Sequence, residues 1–354
     1  MPIPTEPVGS IPRPAELIEG VAAHAAGGLS EEALAGLYDA AVRDTIRRFE
    51  ETGSPVISDG EQTKPSFVTY PLSKVENLAP DGVVIPFADG HERRLPRLVA
   101  GPFRYSAFAS DYLEAAKRYA RVPVKQAVIA ASAMSLLYPP DGLEGYSQSA
   151  FLDDLVADAA TDVRRSLDGG AHVVQIDFTE GRLACKLDPS LSLLRTFVDI
   201  NNRVLAQFND DERARIGIHT CPGGDRDSTH SADVDYAELL PMLFEVNVGN
   251  FYIQLASEED RGRVLGIIAE HSRADQKIFV GVIDPIDPRI ESAEEVKERV
   301  LEAAEYIPVD RLGTTDDCGF APFGDDTSTA RDTAFAKIRA RVEGTAAAAA
   351  HLGL

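Results

Sequence analysis

Short apolar runs rich in β-branched residues alternate along this chain with longer stretches in which apolar positions recur every three or four residues. The short runs predict strands over 55–58, 98–105, 122–129, 172–177, 216–219, 250–255, 277–283 and 311–315. The longer ones predict helices over 112–119, 147–168, 191–208, 236–246, 258–271, 293–306 and 329–343. Strands that are apolar on both faces and alternate with helices imply a parallel sheet covered on both sides. Eight of them, with no break in composition, predict an α/β fold closed as a single (β/α)8 TIM barrel, with residues 1–354 forming one catalytic unit. The run at 98–105 could instead pair with 82–88 as a hairpin. An open doubly wound sheet is the competing architecture, but "GSPVISDGE" carries no Gly-rich phosphate fingerprint. The Ala-rich end, 346–354, reads as a fraying helix end.

Charge narrows the partners. Asp and Glu number 57 against 35 Lys and Arg, a net charge of −22 that repels phosphate backbones and anionic lipid. Neither nucleic acid nor a membrane is an expected partner, and no apolar run approaches the ~20 residues of a membrane span. "MPIPTEPVGS" lacks the basic and apolar regions of a signal peptide, and three cysteines do not make a disulfide framework. A cytoplasmic protein with reduced thiols is expected.

Polar residues collect where the predicted strands end: Asp59 and Glu61, Asp177, His219 and Cys221, Gln254, Asp284, and Cys318. In a barrel of this kind the active site lies on that face, built from several strand ends. His219 and Cys221 stand one residue apart in "GIHTCPGG", and Cys318 follows a later apolar segment in "GTTDDCGF". An imidazole and two thiolates suit Zn²⁺, and three protein ligands with a fourth position open is the pattern of a catalytic zinc. Taken alone, the His-x-Cys pair also fits buried core residues. A zinc-storage role fits less well, because structural sites close all four positions with Cys and His.

From Val8 to about Phe323 the chain resembles the catalytic barrel of the cobalamin-independent methionine synthase family. Five motifs carry the resemblance in order: "VGSIPRP" with Ser10, "SDGEQTKPSF" with Glu61, "QIDFTEG" with Asp177, His219-Thr220-Cys221, and Asp317-Cys318-Gly319. The resemblance implies that His219, Cys221 and Cys318 hold Zn²⁺ and act in catalysis. It implies that Glu61 and Asp177 hold the ammonium of homocysteine and that Ser10 meets its carboxylate end. Zinc would lower the pKa of the substrate thiol, which then attacks an alkyl donor. The expected activity is zinc-dependent S-methylation of homocysteine to methionine.

Departures from the family pattern bear on the donor. Where the family has a fourth zinc ligand, a Glu, "YIQLAS" places Gln254, with Glu258 nearby as a substitute ligand. In "GVIDPIDPRIE", Ile286 stands where the family has a His that assists protonation of the folate leaving group. The chain has no Trp, and Tyr138 in "SLLYPP" is the residue expected near the pterin. The donor could thus be methyl-folate, a methyl-corrinoid or, as in the epoxyalkane:coenzyme M transferases that share the His-x-Cys…Cys set, an epoxide. Coenzyme M would want cations at its sulfonate, for which Arg13, Lys64, Arg104 and Lys125 are available. A related metal-free barrel that decarboxylates porphyrins would leave the His and Cys residues unexplained.

Overall fold

Six of the predicted strands form one parallel sheet in a computed structural model that describes residues 3–354. Its order is Leu312–Asp316, Lys277–Ile283, Asn250–Ile253, Ile216–Thr220, Val174–Asp177, Gln126–Ile129. Two short extended segments supply the remaining staves. Thr5 bridges Thr314 in parallel, and Ile57 bridges Val124 in parallel. These two segments then meet each other: the Ile11 amide donates to the Gly60 carbonyl at 3.0 Å, and Ser58 Oγ to the Gly9 carbonyl at 2.7 Å. The ring closes as a (β/α)8 barrel, which leaves no exposed sheet edge.

The eighth stave differs from the expected one. The run at 98–105 lies outside the barrel: Arg97–Leu98 pairs antiparallel with Leu78–Ala79. The stretch at 82–88 pairs instead with Glu92–Arg94, through Val84–Pro86. The stave at Thr5 belongs to a Pro-rich segment, "IPTEPVGSIP", in which proline breaks the strand pattern and removes ladder donors. Helices at Ala15–Ala25 and Glu31–Glu51 fill the connection between the first two staves, the second capped by Ser30 Oγ on the Ala33 amide. The C-terminal helix runs Arg331–His351, so most of the Ala-rich end is ordered helix, with Ala348 and Ala349 buried. None of the helices among the described residues is long and apolar enough to cross a membrane.

The strand faces turned outward, such as Ile218, Phe251, Ile278 and Val280, pack under the helices as the main core. Inside the barrel a separate cluster of Val173, Tyr252 and Phe279 fills the space, the two rings stacked at 4.6 Å. The Tyr252 hydroxyl donates to Glu6 at 2.6 Å, and the buried Lys125 ammonium sits 3.3 Å from the Tyr252 ring centroid. Burial lowers the Lys125 pKa to about 8 despite the Glu6 carboxylate. Room for these rings comes from missing side chains: a Cβ on Gly313 would stand 2.4 Å from Phe279 Cδ1. Gly313→Ala is therefore expected to cost about 1–3 kcal/mol by overpacking, read as a lower midpoint of denaturant unfolding. An unchanged midpoint would contradict this packing.

Two ribbons lie over the C-terminal face. The hairpin at 84–94 is joined to the Gly224–Asp225/Ser228–Thr229 ribbon by an amide bond from Ala88 to the Thr229 carbonyl at 2.9 Å. Asp225 accepts from Arg93 Nε at 2.5 Å and Nη2 at 3.1 Å, and contacts His91 Nε2 at 3.0 Å. The loop following Cys221 is thus tied to the inserted hairpin.

Candidate active site

His219 is the fourth residue of the Ile216–Thr220 strand, in register with Asp177 on one side and Tyr252 on the other. Its Nδ1 lies 3.2 Å from the Tyr252 carbonyl, which can only accept, so Nδ1 carries the proton and Nε2 keeps its lone pair. Nε2 is buried and has no hydrogen-bond partner. A buried imidazole nitrogen left without a partner calls for an explanation. Two cysteine sulfurs provide one. Candidate ligand atoms of His219, Cys221 and Cys318 all lie within 4.8 Å of one another, and the two sulfurs are 3.0 Å apart.

The sulfurs share their contact unequally. Hydrogen bonding from Cys221 holds the Cys318 thiol well below its ordinary value against the effect of burial. The same contact and burial push Cys221 up. The pair therefore favours a thiolate beside a thiol, an arrangement a cation can complete by replacing the remaining proton. The imidazole with a fixed tautomer, its second nitrogen bonded to a carbonyl, is the usual support of a zinc-ligating His. These residues fit a zinc ion.

Neighbours of Cys318 set its position. Asp317 accepts four hydrogen bonds at 2.8 Å, from the Leu255, Ala256 and Ser257 amides and from Ser257 Oγ. This fixes the Leu312–Asp316 strand end against the loop after Asn250–Ile253. On the other side, a Cβ on Gly319 would stand 2.1 Å from Ser10 Oγ. Glycine here lets the Ser10 hydroxyl reach the site, where it accepts the Ala321 amide at 3.2 Å.

Ser10, Glu61, Asp177, His219 and Cys318 line one cavity of about 690 Å³. Glu61 sits in the Asp59-Gly60-Glu61 turn with φ +55°, a left-handed conformation that a non-glycine residue adopts at a cost of about 1 kcal/mol or more. Its Oε1 accepts from the buried Lys64 ammonium at 2.9 Å, and Lys64 also donates to the Ala127 carbonyl at 3.0 Å. Burial opposes the Lys64 charge, but Glu61 and Asp59 outweigh it and hold its pKa above the usual value. Asp177 Oδ1 accepts from Gln175 Nε2 at 2.6 Å, and burial raises its carboxyl to about 7. Much of the remaining wall is apolar, including Phe67, Leu136, Leu183 and Phe323.

Other predicted residues lie elsewhere. Gln254 follows the Asn250–Ile253 strand but lines a second cavity, of about 580 Å³, together with Glu258, Asp284 and Ile286. Cys318 lines both cavities. Gln254 Oε1 accepts from Arg182 Nη1 at 2.7 Å. Ile286 presents only a backbone amide to a polar partner, Asp284 Oδ1 at 2.9 Å. Tyr138 packs 5.3 Å from Phe151 and donates to the Tyr146 carbonyl, away from both cavity walls.

The four cations weighed for a sulfonate are already engaged. Arg13 donates to the carbonyls of Ala321, Phe323, Glu61 and Lys64. Lys64 holds Glu61, Arg104 pairs with Asp154 at 2.6 Å on the surface, and Lys125 donates to the Pro7 carbonyl at 2.9 Å. Four residues that shape the site were not given these roles by sequence reasoning: Asp317, Gly319, Arg182 and Tyr252. The first two flank Cys318 in "DCG" and Arg182 follows "EG" in "FTEGR", so their motif positions were the available signal. Tyr252 acts through its backbone carbonyl, which no residue type announces.

The match to known proteins follows the same lines. Residues 3–343 match the model of the cobalamin-independent synthase catalytic domain. A methionine synthase of Saccharolobus islandicus is 24% identical over 350 residues, 97% of this chain and 94% of that protein. One from Saccharolobus solfataricus is 23% identical over the same shares. The structure of a B12-independent methionine synthase from Shewanella sp. W3-18-1, in complex with selenomethionine, superposes with a TM-score of 0.79 at 19% identity, covering 99% of both chains. That likeness shows a shared fold. A domain match over nearly the whole length, on a barrel whose strand ends carry the His-x-Cys and Cys set, means that this chain belongs to the cobalamin-independent synthase catalytic-domain family.

Proposed function

We propose that the chain is a zinc-dependent thiol methyltransferase that converts homocysteine to methionine, working as one catalytic barrel. The observation that carries this reading is the placement of His219, Cys221 and Cys318 beside Ser10, Glu61 and Asp177, with His219 and Cys318 opening on the same cavity as those three. The names of the Saccharolobus and Shewanella relatives, and the selenomethionine in the Shewanella complex, support the same acceptor.

Zinc held by His219, Cys221 and Cys318 supplies Lewis acidity that lowers the pKa of a substrate thiol. The rest is the work of side chains. Glu61 keeps Oε2 free of Lys64, and Asp177 keeps Oδ2 free of Gln175, so both can accept from an α-ammonium group. The ammonium favours the ionised form of Asp177, whose carboxyl burial has raised to about 7. Ser10 accepts the Ala321 amide and retains its own proton to donate to a carboxylate. Together the three fix the amino-acid end and aim the sulfur at the metal ligands, which is mainly a gain in alignment.

Asp177→Asn and Glu61→Gln should each weaken homocysteine binding about ten- to hundredfold, the value of roughly 1.5–3 kcal/mol for a charged hydrogen bond. Competition binding measures this, and an unchanged affinity in both variants would remove the ammonium assignment. Coenzyme M has no ammonium to place between two carboxylates, and the buried cations near the cavity are already paired. For this reason homocysteine is favoured over 2-hydroxyalkyl-coenzyme M formation. The test of the function itself is methionine formation from homocysteine and methylcobalamin. Thioether formation from epoxypropane and coenzyme M, with no methionine formed, would overturn it.

A further inference from the structure

We infer that Arg182 keeps Gln254 out of the metal's coordination sphere, leaving His219, Cys221 and Cys318 as its three protein ligands. The inference rests on the zinc reading above and concerns what fills the fourth position. Gln254 and Glu258 line a cavity that Cys318 also lines, and both side chains are already committed.

The network fixes the amide unambiguously. A guanidinium can only donate and a carboxylate can only accept. Gln254 Oε1 accepts from Arg182 Nη1 at 2.7 Å, while Nε2 donates to Glu258 Oε1 at 3.0 Å and to Ser257 Oγ at 2.6 Å. Arg182 Nη1 also donates to Glu258 Oε1 at 2.8 Å, which closes a three-membered ring of side chains. Arg182 cannot follow Gln254 toward a metal. It is 2% exposed, donates from Nε and Nη2 to the Val234 carbonyl, and lies 4.1 Å from the Tyr236 ring centroid. Turning Oε1 away would leave a donor of a buried guanidinium unpaired, a change that costs more than a neutral hydrogen bond returns.

The consequence is a donor set with two anions, the thiolates, where a carboxylate at position 254 would make three. Two thiolates and an imidazole balance a divalent cation to zero net charge, which leaves it more able to attract an incoming thiolate. No protein side chain would take the fourth position, which stays available to the substrate sulfur. Arg182 is a positioning residue in this scheme: it acts on the metal only through Gln254.

The test uses zinc affinity by chelator competition and the visible d–d spectrum of the cobalt-substituted protein, with folding checked by circular dichroism. In Gln254→Leu the cobalt spectrum should be unchanged and zinc affinity should stay within about threefold, because Gln254 bonds none of the three ligands. Losing even an outer partner of a ligand typically costs about tenfold or more. Gln254→Glu combined with Glu258→Gln should also leave the spectrum unchanged, the new carboxylate being held by Arg182 while the amide at 258 donates to it in place of the lost Nε2 contact. Adding Arg182→Met to that pair should release the carboxylate and shift the spectrum toward an added oxygen ligand. The inference is overturned by a tenfold loss of affinity or a spectral change in Gln254→Leu, by a change in the Gln254→Glu/Glu258→Gln pair, or by no change when Arg182→Met is added. If the unaltered protein takes up neither zinc nor cobalt, the metal reading itself is wrong, and that result appears before any variant is made.

Discussion

Cys221→Ala and Cys318→Ala are each expected to weaken zinc binding by orders of magnitude and to abolish methyl transfer while leaving the barrel folded. Four-ligand zinc sites bind with ~10–16 kcal/mol, about 2.5–4 kcal/mol per ligand, so one lost thiolate lowers affinity by roughly 10²–10³-fold. The loss is sharper here because only three donors are grouped. Stability should change little, since the core under the helices and the Tyr252–Phe279 layer hold the barrel without these sulfurs. Chelator competition and a thermal melt of each variant check this. An unchanged zinc affinity in either variant would remove that cysteine from the ligand set.

The second large effect concerns the donor. Methyl transfer from 5-methyltetrahydrofolate should be slower than from methylcobalamin by about 10²–10⁴-fold, the usual worth of general-acid help. An amine leaves carbon poorly unless it is protonated, whereas cob(I)alamin leaves without a proton. The position where the family places a His is Ile286, whose side chain has no proton to give. Tyr138, expected near a pterin, is turned to Phe151 and Tyr146. Single-turnover methionine formation with each donor decides the point. Methyl-folate matching methylcobalamin would show that another group protonates the leaving amine.

Much of this was legible in the sequence because barrel strands are short, apolar and followed by the residues that do chemistry. The strands from Gln126–Ile129 to Leu312–Asp316 could be read from their runs, and Asp177, His219, Cys221 and Cys318 from their ends. The stave at Thr5 was hidden by prolines and by its minimal pairing, a single bridge to Thr314. Leu98 misled because it is fully buried, but in an inserted ribbon instead of the sheet. Burial alone does not distinguish these cases. Gln254 shows a different limit: its position in sequence suggests a ligand, while Arg182, 72 residues earlier, determines where its oxygen points. Long-range pairings of that kind leave no local pattern.

One zinc, held by His219, Cys221 and Cys318, is expected to receive the sulfur of homocysteine. X-ray absorption at the zinc edge, on protein with one equivalent of zinc, tests it most directly. One nitrogen and two sulfur ligands with a lighter fourth atom are expected in the free protein, and a third sulfur when homocysteine is added. Coenzyme M should leave the spectrum unchanged. A spectrum that gains sulfur with coenzyme M and not with homocysteine, or that never shows two protein sulfurs, would contradict it.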